Sequence, residues 1–214
     1  MGITYLLRRD NSMKISEVFR SIQGEGKNQG RACTFLRCAG CNLDCSWCDT
    51  GYARTGGEDW SSDRVIHEIE SLGGRNICIT GGEPLLQIAG LLPVLEYFSD
   101  KEYDIEIETN GTIDFRSVQP CASVCMDVKC PSSGESSCLD LTEALGDSDS
   151  LKFVVMDTDD CEYARKVIDT RNIRCEVFFS PVYGTDYRKV ADYILGYDLP
   201  VRLQLQLHKI IGVQ

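Results

Sequence analysis

Short apolar stretches that suit β-strands alternate with amphipathic stretches that suit α-helices along most of this 214-residue chain. Residues 62–72 form a clear helical pattern, with Val65 and Ile69 on one face and Gly73 as a stop. Strands are predicted at residues 15–19, 33–37, 76–80, 103–109, 123–128, 151–156, 174–179 and 200–208. The alternation predicts an α/β fold with mainly parallel strands, in a sheet that is open or partly closed.

Three further helices are predicted between these strands. Pro93 suits the first turn of one helix, because proline is tolerated where a backbone N–H has no helical partner. Thr158 is predicted to cap a second helix, whose first turn carries the acidic residues Asp159 and Asp160. A third helix is predicted over residues 186–195.

Two of the predicted strands are polar on one face. Isoleucine alternates with glutamate in residues 105–108, and apolar residues alternate with Arg, Gln and His in residues 201–208. Such strands either lie at the edge of a sheet with one face in water, or line a barrel whose interior holds a polar ligand. The motifs described below favour the barrel.

Charge and composition exclude several classes of protein. The chain has 22 Lys and Arg against 33 Asp and Glu, a formal net charge of -11, which argues against a main role in binding nucleic acid. No run of apolar residues is long enough to cross a membrane, and the N-terminal residues lack the apolar core of a secretory signal. We therefore predict a cytoplasmic protein with one domain spanning residues 1–214.

Cysteine is unusually frequent, with 12 residues in a chain predicted to be cytoplasmic, which indicates metal binding or catalysis rather than disulfides. Cys41, Cys45 and Cys48 follow the strand at residues 33–37 on one short loop. Three thiolates at this spacing can hold three irons of a [4Fe–4S] cluster. No fourth cysteine follows closely, so one iron is left open for another ligand, which is typical of a reactive site.

Two other metal sites are compatible with the cysteines. One is a structural zinc site in which Cys33, Cys38 or a histidine completes the loop cysteines, although no second C-x2-C unit is present. The other is a second cluster, held by Cys121, Cys125, Cys130 and Cys138.

The cysteine loop resembles the signature of the radical S-adenosylmethionine (SAM) superfamily. Residues 79–84 (Ile-Thr-Gly-Gly-Glu-Pro) resemble the element of that superfamily that binds the methionyl amino group, and residues 108–112 (Glu-Thr-Asn-Gly-Thr) resemble its next strand end. The resemblance implies a partial (β/α) barrel with its site at the carboxyl ends of the strands, which agrees with a cysteine loop directly after a strand. It also implies that SAM binds the open iron and is cleaved to a 5′-deoxyadenosyl radical when the cluster is reduced.

Further motifs resemble one family within the superfamily, the 7-carboxy-7-deazaguanine synthases of queuosine and archaeosine biosynthesis. They are residues 21–26 (Ser-Ile-Gln-Gly-Glu-Gly), 35–37 (Phe-Leu-Arg), 48–50 (Cys-Asp-Thr), 127–134 (Asp-Val-Lys-Cys-Pro-Ser-Ser-Gly) and 206–209 (Gln-Leu-His-Lys). The implied reaction converts 6-carboxy-5,6,7,8-tetrahydropterin to 7-carboxy-7-deazaguanine with loss of ammonia. Leu207 and Ile210 depart from the family pattern, which favours threonine and, after the lysine, an aromatic residue.

The resemblance also implies which residues bind each ligand. The pterin substrate would contact Ile22, Gln23, Gly24, Arg37, Thr80 and His208. SAM would contact Trp47, Asp49, Gly82, Asp127, Val128, Lys129, Ser180, Pro181, Val182 and Tyr183. Thr50 would bind Mg²⁺, an ion that prefers hard oxygen ligands, and the planar guanidinium of Arg37 suits a carboxylate. A flavodoxin or ferredoxin as reductant and a homodimer are also expected.

Two other functions are compatible with parts of this pattern. A glycyl-radical activase would share the cysteine loop but act on a protein, and the motifs at residues 21–26 and 206–209 disfavour it. A non-catalytic iron–sulfur or zinc protein would not turn over SAM at all.

Overall fold

The computed structural model describes residues 12–214, which contain nine strands and five α-helices. The strands are β1 (Met13–Ile22), β2 (Ala32–Cys38), β3 (Glu58–Trp60), β4 (Asn76–Gly81), β5 (Asp104–Thr109), β6 (Ser123–Val128), β7 (Ser150–Val155), β8 (Glu176–Pro181) and β9 (Arg202–Leu203). The helices are α1 (Ser62–Leu72), α2 (Ile88–Ser99), α3 (Thr158–Thr170), α4 (Tyr187–Gly196) and α5 (Leu207–Ile211). The prediction that the chain lacks a secretory signal rests on N-terminal residues, which lie outside the described range.

All nine strands of the described residues belong to one sheet, in the order β3-β1-β2-β4-β5-β6-β7-β8-β9. The strands from β2 to β9 in this order run parallel, whereas β1 is antiparallel to both β2 and β3. The sheet does not close, because β3 and β9 are its two edges. The predicted partial barrel of mainly parallel strands is therefore confirmed.

The two faces of the sheet differ in chemistry. On one face, α1 packs beside β1 and β2, α2 beside β5, α3 beside β7 and α4 beside β8, and these contacts enclose the main hydrophobic core. The other face is the interior of the partial barrel, and it carries Glu106, Glu108 and Lys152 as well as a small apolar cluster around Phe35 and Cys78. Since β5 lies inside the sheet, its polar face is explained by the barrel interior and not by an edge.

The predicted strand at residues 200–208 is wrong. Only Arg202–Leu203 pairs with β8, and α5 begins at Leu207. The Gln204 side chain is buried and bonds both the N–H and the carbonyl of Gly26, at 2.7 and 2.8 Å. The Leu207 N–H then donates to the Gly24 carbonyl at 3.0 Å. The loop after β1 thus captures this segment and draws it away from the sheet.

The helix ends show one success of prediction and two errors. Helix α1 has the predicted bounds, and Gly73 ends it with a positive φ of 70°. Pro93 lies inside α2 and not in its first turn, because a 3₁₀ turn over Pro84–Gln87 precedes a helix that begins at Ile88. The N-cap of α3 is Asp157, not Thr158: its carboxylate accepts from the N–H groups of Asp159 and Asp160 at 3.0 and 3.1 Å. Within residues 12–214 no helix has the length and apolar character that crossing a bilayer requires.

The α3 cap gives a direct test of this assignment. We expect Asp157→Ala to lower the free energy of unfolding by about 1 kcal/mol, because two backbone N–H groups lose their acceptor. Thr158→Ala should change it by no more than a few tenths of a kcal/mol, since Thr158 is already helical. Urea denaturation followed by circular dichroism measures both. Equal losses in the two variants would contradict the cap assignment.

Candidate active site

A cavity of about 360 Å³ opens where the parallel strands end. Arg37, Thr80, Glu108 and Asp127 line it, and each lies within the last two residues of β2, β4, β5 or β6. The carboxyl ends of parallel strands meet at one edge of a sheet, so residues far apart in sequence reach one pocket. The loop that carries Cys41, Cys45 and Cys48 forms another part of the wall.

The structure brings most of the predicted site residues together around this cavity. Those that line it are Ile22, Gln23, Gly24, Arg37, Cys41, Cys45, Trp47, Cys48, Asp49, Thr50, Thr80, Gly82, Asp127, Lys129, Val182 and His208. Val128 belongs to the core instead, Ser180 and Pro181 are buried at the end of β8, and Tyr183 is exposed. The Ser180 hydroxyl is buried without a hydrogen-bond partner among the described residues, so it has a free acceptor and donor. The predicted SAM contacts of all four residues stay predictions.

Glycine lets two of the predicted motifs pack backbone to backbone. The Gly82 N–H donates to the Cys38 carbonyl at 3.0 Å, and the Glu83 N–H donates to the Gly40 carbonyl at 2.8 Å. A Cβ atom at Gly82 would lie 2.0 Å from the Gly40 carbonyl oxygen and 3.0 Å from the Cys41 Cβ. Only glycine therefore allows the strand end to support the cysteine loop at this distance.

Glu83 joins a third motif to these two. Its carboxylate is fully buried and accepts from the Asn110 N–H at 2.7 Å, the Thr109 hydroxyl at 2.9 Å and the Leu85 N–H at 3.0 Å. Burial raises the pKa of Glu83, and these hydrogen bonds act against that shift. Glu83 does not line the cavity, whereas Gly81 and Gly82 of the same motif do. The Glu83 carboxylate instead links this motif to Thr109 and Asn110.

The cysteine loop suits a cluster better than a single ion. The three thiols of the loop are free. Among residues 12–214, one group of three ligand atoms lies within 4.8 Å of one another, and it consists of Cys78, Glu106 and Glu108. The loop cysteines form no such group. Two thiolates on one zinc ion lie at most about 4.6 Å apart, because each Zn–S bond is about 2.3 Å long. At least one pair of loop sulfurs is therefore farther apart than a single zinc ion allows, which agrees with a larger [4Fe–4S] cluster.

The other cysteines do not support the alternative metal sites. Cys33 and Cys38 are buried, which raises the pKa of both to about 12, and among residues 12–214 neither belongs to a group of three ligand atoms close enough to hold one metal ion. Cys125 and Cys130 are buried thiols whose pKa is raised, again mainly by burial, whereas Cys138 is exposed. Cys125 and Cys130 therefore act as small apolar residues of the interior.

Lys129 and Trp47 lie beside the cysteine loop. The Lys129 ammonium is 3.0 Å from Asp127 Oδ2 and 5.5 Å from the centre of the Trp47 ring, whose N–H donates to the Ser132 hydroxyl at 3.0 Å. Burial raises the pKa of the Cys45 thiol, and the Lys129 ammonium opposes that shift, which favours the thiolate that iron binds. Asp127 Oδ1 is buried with no hydrogen-bond partner among the described residues. A cavity-lining acceptor of this kind fits a donor group of a ligand such as SAM.

A buried lysine that the sequence reasoning missed connects the two sides of the cavity. Lys152 forms an ion pair with Glu25 and lies 3.8 Å from Asp127 Oδ2. Burial alone would lower the pKa of Lys152, but these carboxylates raise it well above its usual value. Glu25 also accepts from the Gln206 amide at 2.6 Å. The available signal was a lysine inside the apolar strand at residues 151–155, since an ammonium is rarely buried unless it is paired.

Thr50 and Asp49 provide adjacent oxygen atoms in the wall of the cavity. The Thr50 hydroxyl donates to Asp49 Oδ1 at 2.9 Å, and Asp49 Oδ2 lies 2.6 Å from the Lys209 ammonium. Burial would raise the pKa of Asp49, but Lys209 and Thr50 lower it, so the carboxylate is charged at neutral pH. A hydroxyl beside a charged carboxylate is the kind of hard donor set that Mg²⁺ binds.

Five polar or thiol side chains lie together in the interior of the partial barrel, and three of them, Gln23, Thr80 and Glu108, line the cavity. The Gln23 amide nitrogen is 3.2 Å from Glu106 Oε2, 3.2 Å from Glu108 Oε1 and 3.3 Å from the Cys78 sulfur. The Thr80 hydroxyl donates to the other oxygen of Glu108 at 2.9 Å. Burial, with the nearby Glu108, raises the pKa of Glu106 to about 7. Glu108 lines the cavity, and it too was absent from the predicted site.

The open parallel sheet, the three-cysteine loop and a cavity at the strand ends define a radical SAM enzyme. A family model described as the radical SAM superfamily matches residues 36–122. The chain is 47% identical to a 7-carboxy-7-deazaguanine synthase from Methanospirillum hungatei, over 96% of this chain and 88% of that protein. A synthase of the same name from Koribacter versatilis is 37% identical, over 93% and 96%. The chain belongs to the 7-carboxy-7-deazaguanine synthase family.

A solved structure agrees with the fold. The crystal structure of QueE from Escherichia coli matches with a TM-score of 0.76 at 24% identity, over 92% of this chain and 95% of that one. Radical SAM enzymes use a [4Fe–4S] cluster and SAM, and for this family Mg²⁺ is a further cofactor. The spread of the three thiols, the unpaired Asp127 Oδ1 and the Thr50–Asp49 oxygens fit these groups.

Glu106 predicts a pH dependence of stability. Its pKa rises from 4.5 to about 7 on folding, so the folded state retains a proton that the unfolded state has lost. The stabilisation is complete below about pH 4.5 and is lost as the pH rises to about 7. We expect Glu106→Gln, which resembles the protonated acid, to become more stable than the wild type as the pH rises, by on the order of 2 kcal/mol at pH 8.

Urea denaturation at several pH values measures this difference, with Glu96→Gln, at an exposed position, as the control. If the difference in stability between the wild type and Glu106→Gln does not change between about pH 5 and pH 8, the raised pKa of Glu106 is contradicted.

Proposed function

We propose that this chain converts 6-carboxy-5,6,7,8-tetrahydropterin to 7-carboxy-7-deazaguanine, with release of ammonia. The observation that carries the proposal is the meeting of three features in one cavity: the cysteine loop, the Thr50–Asp49 oxygens and the Arg37 guanidinium. These match, in turn, a radical-generating cluster, a Mg²⁺ ion and a substrate carboxylate. We propose that the chain works as a single domain over residues 1–214.

The residues near the cysteine loop are proposed to hold the cofactors. Cys41, Cys45 and Cys48 would bind the [4Fe–4S] cluster, which with SAM supplies the radical chemistry when it is reduced. Asp127 Oδ1, which is buried and unpaired among the described residues, would accept a hydrogen bond from SAM. Lys129 fixes the other oxygen of Asp127, so the acceptor is already oriented before SAM binds.

The residues of the β1 and β2 side, together with α5, are proposed to hold the pterin. Arg37 would bind its carboxylate through the planar guanidinium. Gln23 and Thr80 both donate to Glu108 and so fix its carboxylate at the cavity wall. There the carboxylate can accept hydrogen bonds from donor groups of the pterin ring. His208 lies against Gly24, and Ile22 adds an apolar contact for the ring.

Thr50 is proposed to bind Mg²⁺, with the substrate completing much of its coordination shell. The proximity of Asp49 and Lys209 lets the chain balance charge at this point whether or not the ion is bound. We further propose that a flavodoxin or ferredoxin reduces the cluster, and that the protein acts as a homodimer.

Product formation by reconstituted protein tests the proposal. With an anaerobically loaded cluster, SAM, reductant, Mg²⁺ and the pterin, we expect mass spectrometry to detect 7-carboxy-7-deazaguanine. Cys45→Ala should abolish the product, because one iron loses its thiolate. Cys138→Ala, at an exposed cysteine away from the cavity, should retain it. Formation of 5′-deoxyadenosine without a deazaguanine product would preserve the radical chemistry and refute the substrate.

Gly24 tests the placement of His208. A Cβ atom at Gly24 would lie 1.9 Å from His208 Nδ1 and 2.9 Å from His208 Cβ, so α5 must move to admit it. We expect Gly24→Ala to raise KM for the pterin roughly tenfold, equivalent to about 1.4 kcal/mol, with little change in SAM binding. Gly196→Ala is the matched control, because nothing lies near its Cβ. An unchanged KM would show that His208 does not bind the substrate from this position.

A further inference from the structure

Arg37, which is proposed to bind the substrate carboxylate, is itself held by a carboxylate of the chain. Arg37 Nε donates to Glu17 Oε1 at 2.7 Å. The two side chains are only 14% and 24% exposed, so this charge-assisted bond is partly shielded from water. No residue that the structure describes bonds the other edge of the guanidinium, formed by Nη1 and Nη2. That edge offers two parallel donors to a carboxylate.

The backbone places Glu17 opposite Arg37 by means of a β-bulge. The pairing of β1 with β2 shifts between Ile15 and Glu17, so Ile15 pairs with Cys38 and Glu17 pairs with Arg37. Ile15 is buried in the core, and regular alternation would send residue 17 to the same face. The irregularity turns Glu17 to the interior face instead.

Other groups hold the Glu17 carboxylate and the Arg37 guanidinium in place. The Tyr52 hydroxyl donates to Glu17 Oε1 at 2.6 Å, and the Gln214 amide donates to Glu17 Oε2. The rings of Phe19 and Tyr52 lie 5.4 and 5.9 Å from the Arg37 Cζ atom. Arg37, Phe19 and Tyr52 line the cavity, whereas Glu17 does not. Glu17 therefore acts on a ligand only through the cavity-lining side chains that it bonds, and among these Arg37 carries the positive charge that suits a carboxylate.

We propose that Glu17 is a positioning residue, which fixes the Nε edge of Arg37 so that the Nη1–Nη2 edge faces the carboxylate of the substrate. This inference rests on the proposed function, because that function provides the substrate carboxylate. A guanidinium anchored in this way selects a carboxylated pterin over the same ring without a carboxylate. Glu17 is thus a determinant of specificity although it does not touch the ligand.

Binding of two fluorescent probes, 6-carboxypterin and unsubstituted pterin, tests the proposal on the reconstituted protein with SAM and Mg²⁺. We expect the wild type to prefer 6-carboxypterin. Glu17→Gln should weaken the binding of 6-carboxypterin roughly tenfold, with unsubstituted pterin unchanged. Tyr52→Phe, which keeps the ring but removes one bond to Glu17, should weaken it by a smaller factor.

Glu70→Gln is the matched control, because Glu70 also accepts from a tyrosine and a lysine but lies on α1. An equal loss for both probes in Glu17→Gln would show a merely structural role and overturn the proposal. Tighter binding of 6-carboxypterin would overturn it too, because Glu17 would then compete with the ligand for Arg37. A wild type with no preference for the carboxylated probe would refute the assignment of Arg37 in the proposed function, and the role of Glu17 with it.

Discussion

The structure of the cavity depends on the buried ammonium of Lys152, which balances the negative charge of carboxylates in the interior. Glu25 pairs with it and Asp127 Oδ2 lies 3.8 Å from it, and burying the Glu25 carboxylate without a cation would cost several kcal/mol of desolvation. Lys152 is on β7, Asp127 on β6 and Glu25 in the loop after β1. One ion-pair network thus fixes that loop above strands from the other half of the sheet.

The same network extends to the last helix and back to the cysteine loop. Glu25 accepts from the Gln206 side-chain amide, Gln206 Oε1 accepts from the Lys209 ammonium, and Lys209 pairs with Asp49 next to the cysteine loop. Each of these contacts pairs a donor with an acceptor, which limits the loss of stability on burying the network, whereas Asp127 Oδ1 has no partner among the described residues. The proposed SAM and pterin residues are therefore held in register by protein groups before either ligand binds.

Local sequence predicted much of this fold, whereas long-range polar contacts decided the rest. The bounds of α1 follow from its own apolar face and its glycine stop, and both signals lie within the helix or next to it. Alternation in residues 201–208 suggested a strand, but the buried amide of Gln204 bonds Gly26, which no local pattern reveals. The same holds for Glu17, Glu25 and Lys152. Glu17 is placed by a β-bulge and accepts from Gln214, 197 residues away, and Glu25 pairs with Lys152 across 127 residues.

The site divides into a part that the superfamily shares and a part that selects the substrate. The superfamily match covers residues 36–122, which include the cysteine loop, Gly82 and Glu83, and these residues support one another through backbone contacts that only glycine permits. The residues proposed to distinguish the pterin lie largely outside that range, on β1, in the loop after it and on α5. Because β1 runs antiparallel to its neighbours and α5 is captured by the loop after β1, both can vary without altering the parallel sheet. Substrate choice in this fold can therefore change while the cofactor frame stays the same.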